Sequence, residues 1–198
     1  MEKIFLYDLE TTGVKFWKNG VHQISGMIIE NGLIMEKFDY KVKPYKDALI
    51  EEEALKVGNV TKEQILAYPE MSEVFYKLER MLGKYVDKFD KFDKFHLMGY
   101  NNASFDNQFF RAFFTQNATT PKEAEYGNFF GSWFWSDSID VMVLASWYLM
   151  SSRSNLANFQ QRTVARYLGI EVDETKLHDA QYDIELCYAI YKHIIERS

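Results

Sequence analysis

An apolar strand that ends in two carboxylates constrains this chain more than any other feature. The run FLYDLETTG, residues 5–13, is rich in strand-forming residues and stops at a turn signal. Alternate side chains of a strand share a face, so Asp8 and Glu10 lie on the same side of the sheet. Ile4 and Leu6 precede them on that face. The face therefore starts apolar and ends in two anions, which must meet either water or a cation.

The remaining pattern is one of strands alternating with helices, which is typical of a sheet with helices packed on its faces. Asn31-Gly32 lies between two runs of strand-forming residues and predicts a tight hairpin. Ser72 predicts the N-cap of one helix, and Gly169 predicts the end of another over NLANFQQRTVARYLGI. No linker or internal repeat divides the chain, so we expect a single α/β domain over residues 1–198.

Composition limits the classes of function. The apolar fraction of 47% is enough for a core, and no apolar stretch is long enough to span a membrane. The single cysteine, Cys187, excludes an internal disulfide and fits a reducing compartment. The N-terminus lacks the apolar core of a signal peptide, so we expect a cytoplasmic protein. The net charge of -6 leaves nucleic acid as a partner through local patches or bound metal ions.

Two further acids end apolar faces elsewhere in the chain. Asp106 shares a helix face with Phe110 and Phe113, at spacings of four and three residues. Asp183 begins a similar stripe in the last helix, which continues with Cys187. One such acid is ordinarily a surface edge. Three separate elements with the same arrangement instead favour a cluster of carboxylates.

Such a cluster requires cations. Two unit charges about 4 Å apart repel by roughly 4 kcal/mol at an effective dielectric constant of about 20. The segments YDLETTG, NNASFD and HDAQYD, which carry the acids, contain no lysine or arginine to offset that repulsion. Hard divalent cations bind carboxylate oxygens and keep water ligands for substrate phosphates. The sequence therefore predicts a site for Mg²⁺ or Mn²⁺.

The same three segments resemble the three motifs of the DEDDh family of 3′→5′ exonucleases. That family includes the proofreading epsilon subunit of bacterial replicative DNA polymerase and ribonuclease T. Asp8 and Glu10 match the first motif, and Asp106 matches the second. His178 and Asp183 match the third, at the five-residue spacing of its histidine form. The matches occur in the family's order and span nearly the whole chain.

The resemblance implies a ribonuclease-H-like exonuclease fold, in which helices flank a central mixed five-stranded sheet. It also implies removal of nucleotides from the 3′ end with two Mg²⁺ or Mn²⁺ ions per site. Asp8 would bridge both ions, and Asp106 would help to hold one of them. Glu10 and Asp183 would hold the ion that activates water, and His178 would be the general base.

Substrate contacts are predicted around the first two motifs. Many family members have a histidine where this chain has Asn101. Phe16 and Trp17 lie between two lysines, which suits single-stranded nucleic acid, although a hydrophobic plug under the loop is the alternative. The aromatic stretch 126–135 fits core packing, a subunit interface or a base-stacking surface. The predicted substrate-binding residues are Leu9, Thr11, Thr12, Gly13, Phe16, Trp17, Asn101, Asn102 and Phe105.

Several alternatives stay open at this level. We expect single-stranded nucleic acid as the partner, with DNA favoured over RNA, but no motif separates the two. A ribonuclease-T-like exoribonuclease, a proofreading subunit bound to a DNA polymerase and a homodimer are the alternatives within the enzyme reading. A non-catalytic nucleic-acid-binding module would be expected to lack an acid or the histidine, and none is lost here. A haloacid-dehalogenase-type phosphatase would need an aspartate where Glu10 stands.

Overall fold

A mixed sheet of five strands forms the centre of the fold in the computed structural model, which describes residues 2–176 and 180–197. The strand order is β3-β2-β1-β4-β5. β1 pairs antiparallel with β2 and parallel with β4, and β5 runs parallel to β4. The expected five-stranded mixed sheet is therefore confirmed. The strands are β1 (Lys3–Thr11), β2 (Val21–Glu30), β3 (Leu33–Lys41), β4 (Phe95–Gly99) and β5 (Phe134–Asp140).

Helices cover both faces of the sheet. Short 3₁₀ segments follow α5, α7 and α8 along the chain. Within the described residues, no helix combines the length and the apolar character that a membrane span requires. The α-helices are α1 (Glu52–Val57), α2 (Lys62–Leu66), α3 (Met71–Leu82), α4 (Asp106–Gln116), α5 (Pro121–Glu125), α6 (Phe130–Trp133), α7 (Val141–Tyr148), α8 (Gln161–Tyr167) and α9 (Ala180–Glu196).

The alternation of β1 separates two hydrophobic cores. Phe5 and Tyr7 point into an aromatic core that is completed by α3, α4 and α6. Ile4 and Leu6 point to the opposite face, where α7, α8 and α9 pack. Because side chains alternate along a strand, Asp8 belongs to this second face and extends it toward the carboxyl end of β1. The sequence prediction that an apolar face of β1 ends in acids is confirmed.

Local geometry requires glycine at two positions of the β-hairpin region, Gly26 and Gly32. Asn31 and Gly32 have φ angles of 50° and 79°, which the tight turn between β2 and β3 requires, so the predicted hairpin is confirmed. Gly26 lies where β2 crosses the aromatic core. A Cβ at this position would be 2.4 Å from the Leu6 carbonyl oxygen and 2.4 Å from the Phe38 ring. Only glycine fits there without movement of the backbone.

Two helix starts differ from the sequence prediction. Ser72 is not the N-cap, because α3 begins one residue before it, at Met71. Glu70 is the N-cap instead, and its side chain makes no capping hydrogen bond. The carbonyl of Pro69 accepts a hydrogen bond from Lys43, which fixes the chain just before that helix. The helix that Gly169 ends, with φ of 77°, is α8 and starts only at Gln161. The predicted end is therefore confirmed, and the predicted start was wrong.

Replacing Gly26 by alanine should destabilise the fold, because the added methyl group would overlap the backbone of β1. We expect a loss of about 1–3 kcal/mol in the free energy of unfolding, measured by urea denaturation. Gly131→Ala is the matched control, since no atom lies within 4 Å of a Cβ built there. That control should change stability by less than about 1 kcal/mol. Equal stability of the two variants would contradict the packing argument.

Candidate active site

The carboxyl end of β1 brings the first three acids together. Asp8 and Glu10 are partly buried there and lie on either side of Leu9. Asp106 opens α4 and is buried, and its Oδ1 accepts a hydrogen bond of 3.2 Å from the backbone N–H of Leu9. One backbone N–H of β1 therefore fixes the second-motif acid beside the strand that carries the two acids of the first motif. This contact joins residues that are 97 positions apart in the chain.

The fourth acid comes from the helix that covers this face of the sheet. Asp183 lies in the first turn of α9. The side-chain amide of Gln161, at the start of α8, donates a hydrogen bond to the backbone carbonyl of Asp183 and so ties the two helices together. Asp8 and Asp183 line one small cavity, together with Tyr100, Gln161 and Cys187 among others. The structure thus brings all four predicted acids to one region.

The negative charges of these acids repel one another. The pKa of Asp8 is raised well above its usual value, first by burial and then by the charges of Asp106, Glu10 and Asp183. Burial and Asp183 raise the pKa of Glu10 to about 7, although Lys41 opposes the shift. Burial also raises the pKa of Asp106 to about 7, against the hydrogen bond from Leu9. Asp8, Glu10 and Asp106 therefore have too little positive charge nearby. Each of them loses its proton at a higher pH than an exposed carboxyl group does.

The donor set fits a hard divalent cation. Within residues 2–176 and 180–197, no salt bridge involves Asp8, Glu10 or Asp106. Carboxylate oxygens are the ligands that Mg²⁺ and Mn²⁺ prefer. The same described residues contain no group of three His, Cys, Asp or Glu side chains already arranged to hold a metal ion. The acids are therefore close enough to raise each other's pKa. Among the described residues, however, their side chains are not arranged around a single metal position.

Asp140 is a site residue that the sequence analysis missed. It ends β5, and its carboxylate accepts hydrogen bonds from the backbone N–H groups of Met142 and Val143, which caps α7. It also accepts from the N–H groups of Asn101 and Ala103, at 3.0 and 3.3 Å. Asp140 therefore anchors the loop that carries Asp106. An aspartate just before the apolar run VMVLASW is a helix-cap signal that could have been read.

A second network holds α4 against the sheet. The Tyr7 hydroxyl donates to Oδ1 of Asn107, at 2.6 Å, and the Asn107 amide donates to the Ser138 hydroxyl, at 3.0 Å. Burial is the main cause that raises the pKa of Tyr7 well above its usual value, so the phenol remains a donor. These bonds join β1, α4 and β5 beside the acids. They fix the direction in which α4 leaves the site.

Two predicted substrate residues lie beneath the surface. The Thr12 hydroxyl donates to the carbonyl of Leu49 and accepts from the N–H of Gly20, so it holds two loops together. The Asn102 side chain is fully buried, and its Oδ1 and Nδ2 have no hydrogen-bond partner among the described residues. Direct contact of either side chain with substrate does not fit this conformation, because no part of either reaches the surface.

The other predicted substrate residues differ in exposure. Trp17 is 61% exposed, and Phe16 is half-buried against it with ring centroids 5.1 Å apart. Asn101 is exposed, and its Oδ1 accepts a hydrogen bond from the Ser104 hydroxyl. Leu9 is buried, and Thr11, Gly13 and Phe105 lie around the end of β1 and the start of α4. Substrate contact at these positions stays a prediction.

The aromatic stretch 126–135 belongs largely to the core. Phe130, Trp133 and Phe134 are buried in the aromatic cluster of the first face. Tyr126 and Phe129 remain exposed and stack on each other, with ring centroids 6.3 Å apart. Among the meanings that the sequence left open, core packing therefore accounts for most of this stretch.

His178 of the third motif lies outside the described residues, as do its two chain neighbours. Its assignment as general base stays a prediction.

Comparison with known sequences decides the family. The sequence model of the RNase_T family, described as exonuclease, matches residues 5–191. The chain belongs to this exonuclease family. Dependence on divalent metal ions is general in this exonuclease family. The predicted family, enzyme class and fold are confirmed, whereas a single domain over residues 1–198 stays a prediction.

Relatives of this exonuclease-family chain are much longer proteins. The PolC-type DNA polymerase III of Bacillus cereus is 24% identical over 200 residues, which cover 99% of this chain and 12% of that protein. The PolC-type enzyme of Mycoplasmopsis pulmonis is 26% identical over 190 residues, 96% of this chain and 11% of the relative. This chain thus spans about an eighth or a ninth of the curated relatives it matches.

Solved structures share the fold. The zinc-bound complex of E. coli exonuclease I with single-stranded DNA superposes with a TM-score of 0.74 and 20% identity, covering 100% of this chain and 41% of that chain. The metal-free form of the same complex gives a TM-score of 0.73, also at 20% identity and with coverages of 100% and 40%. These similarities extend over the whole exonuclease-family chain but under half of exonuclease I.

Replacing Glu10 by glutamine should stabilise the metal-free protein. Because its pKa is raised to about 7 in the folded state, Glu10 favours folding below its unfolded pKa, and that stability is lost as the pH rises through about 7. In chelator at pH 8, Glu10→Gln should therefore raise the free energy of unfolding by about 1–3 kcal/mol. The gain should shrink toward pH 4.

Glu36→Gln is the matched control, because the hydrogen bond from Lys84 lowers the pKa of Glu36. It should give no gain at pH 8. Urea denaturation at both pH values measures the difference. A Glu10→Gln variant that is less stable than the parent at pH 8 in chelator would show that the carboxylate is not under repulsion.

Proposed function

We propose that this chain is a metal-dependent 3′→5′ exonuclease that releases nucleoside monophosphates from single-stranded DNA. The observation that carries the proposal is the convergence of four carboxylates from β1, α4 and α9, each matching a motif of the family. The raised pKa values of Asp8, Glu10 and Asp106 support a site that functions with bound cations. Membership of the exonuclease family supports phosphodiester hydrolysis as the reaction.

Single-stranded DNA is favoured as the substrate by the matching structures. The E. coli exonuclease I structures with the same fold include complexes with single-stranded DNA. The exposed Trp17 beside half-buried Phe16 offers this chain a surface on which a base could stack. RNA as the preferred substrate is an outcome that the assay below distinguishes.

The four acids would act together in the proposed site. Asp8, Glu10, Asp106 and Asp183 would hold two Mg²⁺ or Mn²⁺ ions. When bound, such a pair stabilises the attacking and leaving oxygens of an in-line displacement. The backbone N–H of Leu9 keeps Asp106 oriented, and Gln161 keeps the start of α9 in place. His178 would accept the proton of the attacking water.

A proofreading role is the second candidate. Both PolC-type relatives are DNA polymerases, and this chain matches about a ninth to an eighth of each. An exonuclease domain that acts on the 3′ end of a strand made by a polymerase would use the same site. Association with a polymerase, a homodimer and a cytoplasmic location all stay predictions.

Asp8→Asn should abolish turnover, because this residue would contact both ions. We expect kcat to fall at least roughly a thousandfold, equivalent to about 4 kcal/mol. The assay follows labelled single-stranded DNA, duplex DNA and RNA with Mg²⁺ or Mn²⁺, and product ladders are read from each end. Asp137→Asn, which alters an exposed carboxylate of β5, should leave the rate unchanged.

The same assay tests polarity and metal dependence. A 3′-terminal phosphate should slow digestion, whereas a 5′ block should not. Full activity in excess chelator, or cleavage of circular single strands at a comparable rate, would refute the proposed function.

His178→Ala should lower kcat by about 10²–10⁴-fold with little change in KM, because proton transfer is needed in the transition state. The parent rate should rise with pH through an apparent pKa of about 6–7.5, and the variant should lose the histidine part of that rise. His96→Gln, in β4, should behave like the parent. A His178→Ala variant with parental kcat at pH 7 would exclude the general-base role.

A further inference from the structure

His22, near the start of β2, is a buried histidine whose ring has no partner. It is 1% exposed, and neither Nδ1 nor Nε2 has a hydrogen-bond partner within residues 2–176 and 180–197. Burial and then the charge of Lys41 lower the pKa of His22 to about 4, so the ring is neutral at pH 7. Contact with the residue's own backbone opposes that shift but lacks hydrogen-bond geometry. A neutral imidazole carries one N–H donor and one acceptor, and leaving both unpaired away from water costs stability.

A β-bulge places His22 beside Glu10 at the end of β1. Glu10 pairs with Gln23, and Thr11 pairs with Val21, so His22 is the extra residue between the two pairs. The extra residue of a bulge is released from the ladder, and bulges are frequent beside active sites because they redirect a side chain. The irregular pairing therefore brings an imidazole to the level of one of the four acids.

The His22 ring and the Glu10 carboxylate face the same point at the end of α1. Gly58 follows that helix, and a Cβ built on it would lie 3.5 Å from Glu10 Oε2 and 3.8 Å from His22 Cε1. Because Cε1 lies between the two ring nitrogens, the nitrogen-bearing edge of the imidazole is the edge turned to this point. The φ angle of -79° at Gly58 suits any residue, so the backbone does not require glycine there. A long side chain, however, would fill the space beside the ring edge and the carboxylate.

Glu10 lacks the kind of partner that His22 offers. Within residues 2–176 and 180–197, the Glu10 carboxylate takes part in no salt bridge and accepts no hydrogen bond. Lys41 acts on both groups, because its charge lowers the pKa of His22 and opposes the rise in the pKa of Glu10. An N–H donor without an acceptor and a carboxylate without a donor therefore share one neighbourhood.

We propose that His22 is a positioning residue, whose ring N–H donates a hydrogen bond to the Glu10 carboxylate when a divalent cation is bound at the site. The inference rests on the proposed function, because it takes Glu10 as a ligand of that cation. Carboxylates that bind metal ions are themselves hydrogen-bonded by neighbouring groups, which fix the orientation of the ligand. A neutral imidazole suits this task, since it restrains the carboxylate without cancelling the charge that attracts the cation.

The first test measures metal affinity without turnover. Mn²⁺ is titrated into the metal-free protein, and the electron paramagnetic resonance signal of free Mn²⁺ gives the affinity. His22→Phe keeps a ring but removes the donor, so it should weaken Mn²⁺ binding by about 10–100-fold. His22→Gln and His22→Asn each return an N–H close to one of the two ring nitrogens, and one of them should recover most of the lost affinity.

His96→Phe is the matched control, because it makes the same change at the other end of the sheet. His96 pairs with Ile4 near the start of β1, and its ring stacks on Trp135. This variant should bind Mn²⁺ as the parent does. Thermal melting in chelator confirms that each variant is folded.

A second measurement uses the parent protein and so does not depend on how the variants fold. The chain has four histidines, and the ring signals of His22 in a ¹⁵N-histidine spectrum are those that His22→Gln lacks. Adding Mg²⁺ to the chelator-treated parent should move the His22 ring N–H proton downfield, because a hydrogen bond to an ionised carboxylate is short and strong. Unchanged His22 signals at saturating Mg²⁺ would overturn the proposal.

The outcomes separate this role from the proposed function. Parental Mn²⁺ affinity in a folded His22→Phe variant, or loss of affinity that neither amide variant restores, would overturn the positioning role alone. A parent that binds Mn²⁺, loses affinity in His22→Phe and hydrolyses no nucleic acid would refute the exonuclease proposal and keep the role of His22. A parent that binds no divalent cation would refute both.

Discussion

Repulsion between the partly or fully buried carboxylates at the end of β1 is the constraint on which the rest of this structure depends. Burial and the charges of neighbouring acids raise the pKa values of Asp8, Glu10 and Asp106, and no salt bridge involves these three acids within residues 2–176 and 180–197. The Leu9 N–H to Asp106 and the Gln161 amide to the Asp183 carbonyl are the decisive bonds. Both restrain position without supplying a full positive charge. The negative potential at the end of β1 therefore remains, and a bound cation would neutralise it.

Asp140 is a second acid beside Asp106 whose carboxylate is held by the backbone. Its carboxylate accepts four backbone N–H hydrogen bonds, two from the loop before α4 and two from the first turn of α7. These four donors hold the Asp140 carboxylate in one orientation without a metal ion. Asp106, in contrast, accepts two such bonds, from Leu9 and from its own backbone N–H, and faces the charges of Glu10 and Asp140. The number of donors, rather than burial alone, distinguishes the two roles.

Local patterns in the sequence predicted the parts of this fold that local physics controls. Strand alternation gave the correct face for Asp8, and the Asn31-Gly32 pair gave the hairpin. The predicted start of α8 was wrong. The Tyr100 hydroxyl donates a hydrogen bond to the Phe159 carbonyl, and this contact across 59 residues keeps the segment out of the helix. Contacts of this range have no local signature. The same is true of Arg111 on Phe130, which only the packed structure reveals.

One helix links the chemistry of the site to the aromatic core. The inner face of α4 is fixed in the aromatic core, and its first residue carries the acid that Leu9 holds. The positive end of the helix dipole also lies at that residue, which favours an anion there and partly offsets the repulsion from the other acids. Any shift of α4 in the aromatic core would therefore move Asp106 relative to Leu9, so the packing of the Phe110 and Phe113 rings helps to set the spacing of the acids.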